Sequence, residues 1–503
     1  MANLEEITDV KTLQQVASHL EKTTIRQSKE IAKLRAEVCR LRGRDVDPQM
    51  ELDLLKEQLA AMQRMVFGES SERRPSDRRG TEDEAKKPRR GHGPKSQPDL
   101  PVEEVVHTLA EEERSCPICG QQMVEMGEQA EESEEITVVG VEYKILKHRR
   151  RVYRCQCNGH AKTAPGPARL IPGGRYSIDF AVHVAENKYL DHLPLERQVR
   201  AMGRAGLDVD SQTLWDQIDA LARHLEPTYE NLCGRVLDND VVYADETSWR
   251  NHENNNTSKW WTWCVASDDM AVYRISKSRS HQAAEDVLGG FEGIVMTDGY
   301  KAYETLERNE HHLHLAHCWA HVRRKYLDGE DAYPELSAHA VKQIKELFKI
   351  ERETPRAAPE ASDEEKQQVF ELRRQRRQEL SKPIIDDLLL WAAEHRGRVL
   401  PGSKMGKAIE YMLTLWKGLT RFLEDPRIPL DNNAAERALR GVVVGRKNHY
   451  GSKSKRGTEV AALFYTLFET AKLSGVDPRA FVTRAAIRAI NESGAVTLPA
   501  DMT

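Results

Sequence analysis

With only 8 cysteines in 503 residues, the chain has too few for a disulfide scaffold, and four of them, Cys39, Cys233, Cys264 and Cys318, stand alone in the sequence. No run of about 18 apolar residues is present, so no membrane-spanning helix and no membrane role are expected. The first residues, MANLEEITDVKTLQQ, lack the basic flank and apolar stretch of a secretory signal, and a cytoplasmic location is the expectation. Strong charge of one sign is also missing. A net charge of −5 excludes a uniformly basic nucleic-acid binder, but the average hides segregated signs. Arg73, Arg74, Arg78, Arg79, Lys86, Lys87, Arg89, Arg90 and Lys95 crowd one stretch, and residues 125–135 hold six Glu. The length predicts two to four domains with at least one sizeable core.

Two apolar series repeat with a period of 3.5 near the start: Val10, Ala17, Thr24, Ile31 and Val38, and Leu13, Leu20, Gln27, Leu34 and Leu41. After a break at Gly43 to Pro48 the spacing resumes with Leu52, Leu55, Leu59, Met62 and Val66. Heptads with polar flanks predict a coiled coil over 8–68 and a homo-oligomer held by it, the alternative being helices folded back on the body. Residues 69–97 turn to Ser, Arg, Pro, Gly and Glu without apolar period, the composition of a flexible linker. Its Arg89 and Arg90 would rest on phosphates or remain a solvated tail.

Over 98–165 the remaining cysteines fall in two close pairs, Cys116-Pro-Ile-Cys119-Gly120 and Cys155-Gln-Cys157, on either side of an acidic stretch and an expected strand pair from Ile136 to Tyr153. Four thiolates so grouped suit tetrahedral Zn²⁺; redox disulfides or buried thiols are the alternatives, with His160 as a spare ligand. Residues 170–235 read as helical. Asp191 to Gln198, a glycine break at Gly203 and Gly206, and Ser211 to Trp215 with a Ser cap resemble a helix-turn-helix, or plain scaffolding.

The chemistry gathers further on. Val241-Val-Tyr-Ala-Asp245 is an apolar run ending in an acid, as a buried strand delivering a ligand at its tip would read. Trp260 to Ala266 and Met270 to Ile275 predict a hairpin, Ser280 to Leu288 a helix, Gly293 to Asp298 a strand ending in an acid, and His312 to Ala316 a short strand. The order β, β, β, α, β, α, β is that of a ribonuclease H-like α/β fold, in which Asp245 and Asp298 would face one another. Pro429-Leu-Asp431-Asn-Asn-Ala-Ala-Glu436 offers a third acid in the first turn of a helix capped by Asn433. Three hard carboxylates suit Mg²⁺, or Mn²⁺, with two ions clamping an in-line phosphodiester displacement. Each acid also has a structural reading: Asp245 capping its strand, Asp298 opening a turn at Gly299, Glu436 in a capping box with Asn433 or paired to Arg440. His317 and His321 would sit at i and i+4 on a helix, as zinc ligands or on a packing helix whose Arg323, Arg324 and Lys325 face DNA.

On these residues the chain resembles transposases of the insertion sequence sixty-six family. The match rests on Phe67 to Glu72, Cys116 to Gly120, Leu170 to Gly174, Lys188 to Leu195, Ala244-Asp-Glu-Thr247, Thr297-Asp-Gly-Tyr300, His317-Cys-Trp-Ala-His-Val-Arg-Arg324, and Asp431 to Arg440 with Val444 to Asn448. The resemblance implies a DDE site at Asp245, Asp298 and Glu436, acting on element ends and target DNA. Accessory proteins of the same element are further candidate partners. Because 138 residues separate Asp298 from Glu436, an all-α insertion is expected over 325–425, its Arg373 to Arg377 stretch touching DNA or forming a solvated face. The ribonuclease H-like core would then comprise 236–324 and 426–460, with a helical packing tail over 461–503. Arg440, Arg446, Lys447, Lys453, Lys455 and Arg456 would supply positive charge beside the acids. A catalytically silent DNA-binding regulator and a nuclease that cuts without joining are the rival readings.

Overall fold

The computed structural model describes residues 142–149, 151–154, 161–163 and 165–502, apart from 254–255, 358–360 and 401. The expected coiled coil, the linker with Arg89 and Arg90, and Cys116, Cys119, Cys155 and Cys157 lie outside the described residues. Two short strands, β1 (Val152–Arg154) and β2 (Ala161–Thr163), pair antiparallel with Tyr153 opposite Lys162. Of the strand pair expected from Ile136 to Tyr153, residues 136–141 lie outside the described residues; residues 142–149 form no strand, and Tyr153 pairs downstream instead.

Three helices follow: α1 (Ile178–Tyr189), α2 (Leu195–Arg204) and α3 (Ser211–Arg235). Asp210, not Ser211, caps α3 by accepting from Thr213 N at 2.6 Å, while the Ser211 hydroxyl donates to Glu196 on α2. A carboxylate satisfies an orphan N–H at a helix start and suits the positive end of the helix dipole. Leu214, Ile218, Leu221 and Leu225 bury one stripe of α3 in the same apolar cluster as the central sheet.

That sheet comprises β3 (Val241–Asn251), β4 (Ser258–Ala266), β5 (Ala271–Ser276), β6 (Gly293–Thr297) and β7 (Leu313–His317), in the order β5-β4-β3-β6-β7. β3, β4 and β5 form an antiparallel meander, and β6 and β7 add in parallel through α4 (His281–Leu288) and α5 (Lys301–Asn309). Side-chain alternation divides the strands between two cores. Val242, Ala244, Val295, Leu313 and Leu315 face one; Ile294, Met296 and Ala316 face the other.

The region beyond the sheet is mostly helical: α6 (Trp319–Asp328), α7 (Pro334–Glu353), α8 (Asp363–Arg376), a π-helical turn at Arg377–Ser381, α9 (Lys382–Arg396), α10 (Lys404–Thr414) and α11 (Trp416–Thr420), of which α6, α7, α9, α10 and α11 fill the second core together with Val399, Ile428 and Leu430. Here the arginine stretch departs from both expectations. Arg373 and Arg377 point inward, and Glu351 on α7 accepts from Arg373 Nη2 at 2.6 Å and from Arg377 Nε and Nη2 at 2.8 Å. Arg377 is 1 % exposed and also donates to the carbonyls of Phe422, Asp425 and Ile428; Arg373 reaches that of Pro426. Arg374 alone fits the solvated reading, exposed beside Glu371.

The chain returns to the sheet in α12 (Asn433–His449), then runs through α13 (Lys455–Leu473) and α14 (Pro478–Asn491). A boundary at 460/461 is not realised, because α13 crosses it as one helix and packs in the first core. The reason lies at the sheet edge. Among the described residues β5 has a strand neighbour on one side only, and its other side is met by threonines of α13: Tyr273 N donates to Thr466 Oγ1 at 3.0 Å, Ala271 N to Thr470 Oγ1 at 3.2 Å, and Thr470 Oγ1 to Ala271 O at 3.0 Å. Edge strands left unpaired invite aggregation, and this one is covered. Thr470→Val keeps the shape and orphans two buried backbone groups, so it is expected to lower stability by about 1–3 kcal/mol, read as a lower urea midpoint at unchanged slope.

Candidate active site

Val241, Val242 and Tyr243 pair in parallel with Ile294, Val295 and Met296. Carried forward two residues, that register sets Asp298 beside Asp245 at a strand spacing of about 4.8 Å: Asp298 directly follows β6, whereas the strand end expected at Asp245 is not realised, since β3 runs on to Asn251 and Asp245, just past its ladder with β6, stays paired with Cys264 of β4. Glu246 N donates to Asp245 Oδ1 at 2.8 Å, and Tyr300 N to Asp298 Oδ1 at 3.0 Å. Gly299, at φ +86°, turns the chain directly after Asp298, and a Cβ there would meet Leu415. Tyr411 on α10 donates its hydroxyl to the Asp298 carbonyl, tying the helical region to this strand tip.

Glu436 arrives from the other side of the long detour. Asn432, fully buried, donates from Nδ2 to Ala244 O at 2.9 Å and from its backbone N to Cys318 Sγ at 3.3 Å; Trp319 N donates to Leu430 O at 2.8 Å. These bonds pin the start of α12 to the residue before Asp245 and to the end of β7. Asn432 is therefore the residue preceding the helix, and it makes no side-chain cap, which corrects the expected Asn433 cap. Among the described residues Glu436 enters neither a capping box nor an ion pair with Arg440. Its Oε1 is buried without a hydrogen bond, 3.6 Å from His321 Nε2.

The electrostatics tie the acids together. Burial first, then the neighbouring Glu246, Asp298 and Glu436 carboxylates, push the Asp245 carboxyl up to about 7 against the bond from Glu246 N. Burial lowers His321, while Glu436 and Asp298 pull it upward. The three acids thus share one field. Among the described residues, however, no three His, Cys, Asp or Glu side chains close on a point as a ready-made ligand cage. The donor set is nonetheless one that Mg²⁺ fits: hard oxygens, uncompensated negative charge and a carboxylate oxygen without a partner.

The histidine pair resolves differently from its spacing. His317 ends β7, its Nδ1 3.2 Å from Thr297 Oγ1, and burial pushes it down to about 4; only His321 is on α6. Arg323, Arg324 and Lys325 on α6 are exposed, as are Arg440 and Lys447 on α12. Arg446 is half-buried and donates from Nη1 to the Thr247 and Ser248 hydroxyls at 3.1 and 2.9 Å. Arg456 does not offer the free charge expected of it, since it pairs with Asp219 and Glu226 at 2.7 Å. Glu246 and Arg279, which contact each other behind Asp245, were not singled out by the sequence; an acid at an inward-facing strand position was the available signal.

An α/β protein with acids gathered at the ends of a mixed sheet, and a helical detour before the last of them, is the class this fold and site define. The Transposase IS66 family matches residues 173–460, and the zinc-finger binding domain of transposase IS66 matches residues 113–158. The chain belongs to the IS66 family of transposases. It is 32% identical over 417 residues to the uncharacterized protein y4jD of Sinorhizobium fredii, covering 79% of this chain and 78% of that one. It is also 32% identical over 396 residues to the uncharacterized protein y4qI of the same organism, covering 75% and 70%.

Proposed function

We propose that this transposase cuts and joins DNA strands at the ends of a mobile element, using Asp245, Asp298 and Glu436 on a ribonuclease H-like core to hold Mg²⁺ or Mn²⁺. The observation that carries this reading is the register that sets Asp298 beside Asp245, together with the Asn432 bond to Ala244 O that brings the start of the Glu436 helix to the same strand; burial beside the other carboxylates raises the Asp245 carboxyl in keeping with it. Carboxylates crowded where two parallel strands part are costly unless a cation relieves them. When bound, a pair of such ions supplies an activated water and a clamp on the attacking and leaving oxygens. The chain's own groups do the rest. Asn432 fixes the helix that presents Glu436, and the exposed Arg323, Arg324, Lys325, Arg440 and Lys447 neutralise phosphates, with Arg446 steadied by β3. Cys116, Cys119, Cys155 and Cys157 hold a structural Zn²⁺, the N-terminal heptads join copies of the chain, and element ends and target DNA are the partners.

The test is a cleavage and joining assay on DNA carrying the element's ends. Asp298→Asn and Glu436→Gln are each expected to abolish both steps while leaving end binding in a gel-shift assay unchanged. Joining at the wild-type rate in either variant would refute the assignment, and cleavage without joining by the wild-type chain would make it a nuclease.

A further inference from the structure

Two residues of the acid-bearing motifs remain without a role: Glu246, which follows Asp245, and Tyr300, which follows Asp298 and Gly299. Both meet at Arg279, in the turn between β5 and α4. The Glu246 side chain is fully buried, turned to the opposite face of the sheet from Asp245. Its Oε1 accepts from Arg279 Nε at 2.9 Å and also from Nη2, and its Oε2 accepts from the Tyr303 hydroxyl at 2.8 Å. On the other side, the Arg279 guanidinium lies 3.8 Å from the centre of the Tyr300 ring, and the Tyr300 hydroxyl donates to the Arg279 carbonyl at 2.8 Å. Trp261 flanks the same guanidinium at 4.6 Å. The backbone amides of the two residues so held, Glu246 and Tyr300, are those that donate to Asp245 Oδ1 and Asp298 Oδ1.

We infer that Arg279 is a positioning residue: by forking onto Glu246 and stacking on Tyr300 it locks the middle of β3 and the end of β6 in one register, so that Asp245 and Asp298 converge on a shared divalent cation. The inference rests on the three-acid reading above. Outer-shell groups that orient metal ligands change metal affinity by roughly 10–100-fold when lost. A guanidinium is needed because its planar fork and flat face satisfy both partners at once, which an ammonium does not. Charge alone predicts the opposite behaviour. Arg279 is a cation close to Asp298, and its removal would by itself tighten cation binding.

The experiment titrates Mn²⁺ into the full chain and counts the free ion by paramagnetic resonance, comparing wild type with Arg279→Lys, Arg279→Met and Asp298→Asn. Arg279→Lys keeps a positive charge facing the buried Glu246, so its circular dichroism is expected to match the wild type while the Asp298-dependent Mn²⁺ affinity falls roughly tenfold. Arg279→Met is expected to weaken binding as well. Wild-type affinity in the Lys variant, or tighter binding in the Met variant, overturns the positioning role and leaves the three-acid site standing. If Asp298→Asn removes no bound Mn²⁺ from the wild-type count, the three-acid reading fails and this inference fails with it.

Discussion

Asp245→Asn is expected to lower Mg²⁺-dependent strand cleavage by at least about a thousandfold and, in metal-free protein at pH 8, to be more stable than the wild type. The loss of cleavage should exceed the roughly 10–100-fold attached to outer-shell partners. The gain in stability follows from the raised carboxyl. Burial and three neighbouring carboxylates carry Asp245 from its ordinary 3.8 to about 7. Between those values the folded chain keeps a proton that the unfolded chain releases, so folded stability falls as pH rises across that window, and the full cost is present above about pH 7. The displacement sets a ceiling of about 4 kcal/mol, and water reaching the half-buried site lowers it to about 2 kcal/mol. The neutral amide of the variant escapes the cost. Its advantage in melting temperature should therefore be nil near pH 4, grow to about pH 7 and level off beyond. Added Mg²⁺ should reverse the ranking at pH 8, because the ion stabilises only a chain that binds it. An advantage independent of pH, or one that survives Mg²⁺, would mean that Asp245 is not under this electrostatic pressure.

The acids stand out in the sequence because each interrupts a locally consistent pattern. Local consistency breaks at functional sites. Val241 to Ala244 and Gly293 to Thr297 are strands by composition, and an acid at the end of each is a poor choice for burial. The strand order followed from the same apolar runs, and the observed meander with two parallel additions has the expected sequence of elements. Glu436 was legible as an acid in a helix start, although its neighbour's role was not. Asn432 and Asn433 are alike as residues, and only the carbonyl of Ala244, 188 positions earlier, distinguishes the buried one from the exposed one.

Long-range partners account for the other differences. His317 and His321 have helical spacing, yet His317 completes a strand because its amide neighbours belong to the β6–β7 ladder. Thr466 and Thr470 read as small polar residues of a packing helix, and nothing local announces that they close a sheet edge 193 and 199 positions away. Glu246 alternates with apolar residues toward the core, a pattern that demands a buried counter-charge, but the demand does not name Arg279.

The arginine stretch of α8 shows the same limit most sharply, and it carries the second large prediction: Glu351→Leu is expected to destabilise the chain by about 3–5 kcal/mol, because it leaves two buried guanidiniums without a counter-ion. Burial alone would raise the Glu351 carboxyl; Arg377 and Arg373 more than offset this and hold it below its usual range. Its contribution is thus present at neutral pH and is lost as pH falls through that depressed value. In a buried triad that serves only itself, replacing all three members with apolar residues can be neutral or stabilising. This one also satisfies the carbonyls of Phe422, Asp425, Pro426 and Ile428, in the segment that leads to Asn432 and Glu436. Glu351→Leu combined with Arg373→Met and Arg377→Met is therefore expected to remain destabilised, since the orphaned carbonyls cost about 1–3 kcal/mol each. It should also lose cleavage more than end binding, because the path that delivers Glu436 is no longer fixed. Denaturant unfolding of both variants decides the point: a triple variant as stable as the wild type would show that the triad holds only itself, and that α12 finds the sheet without it.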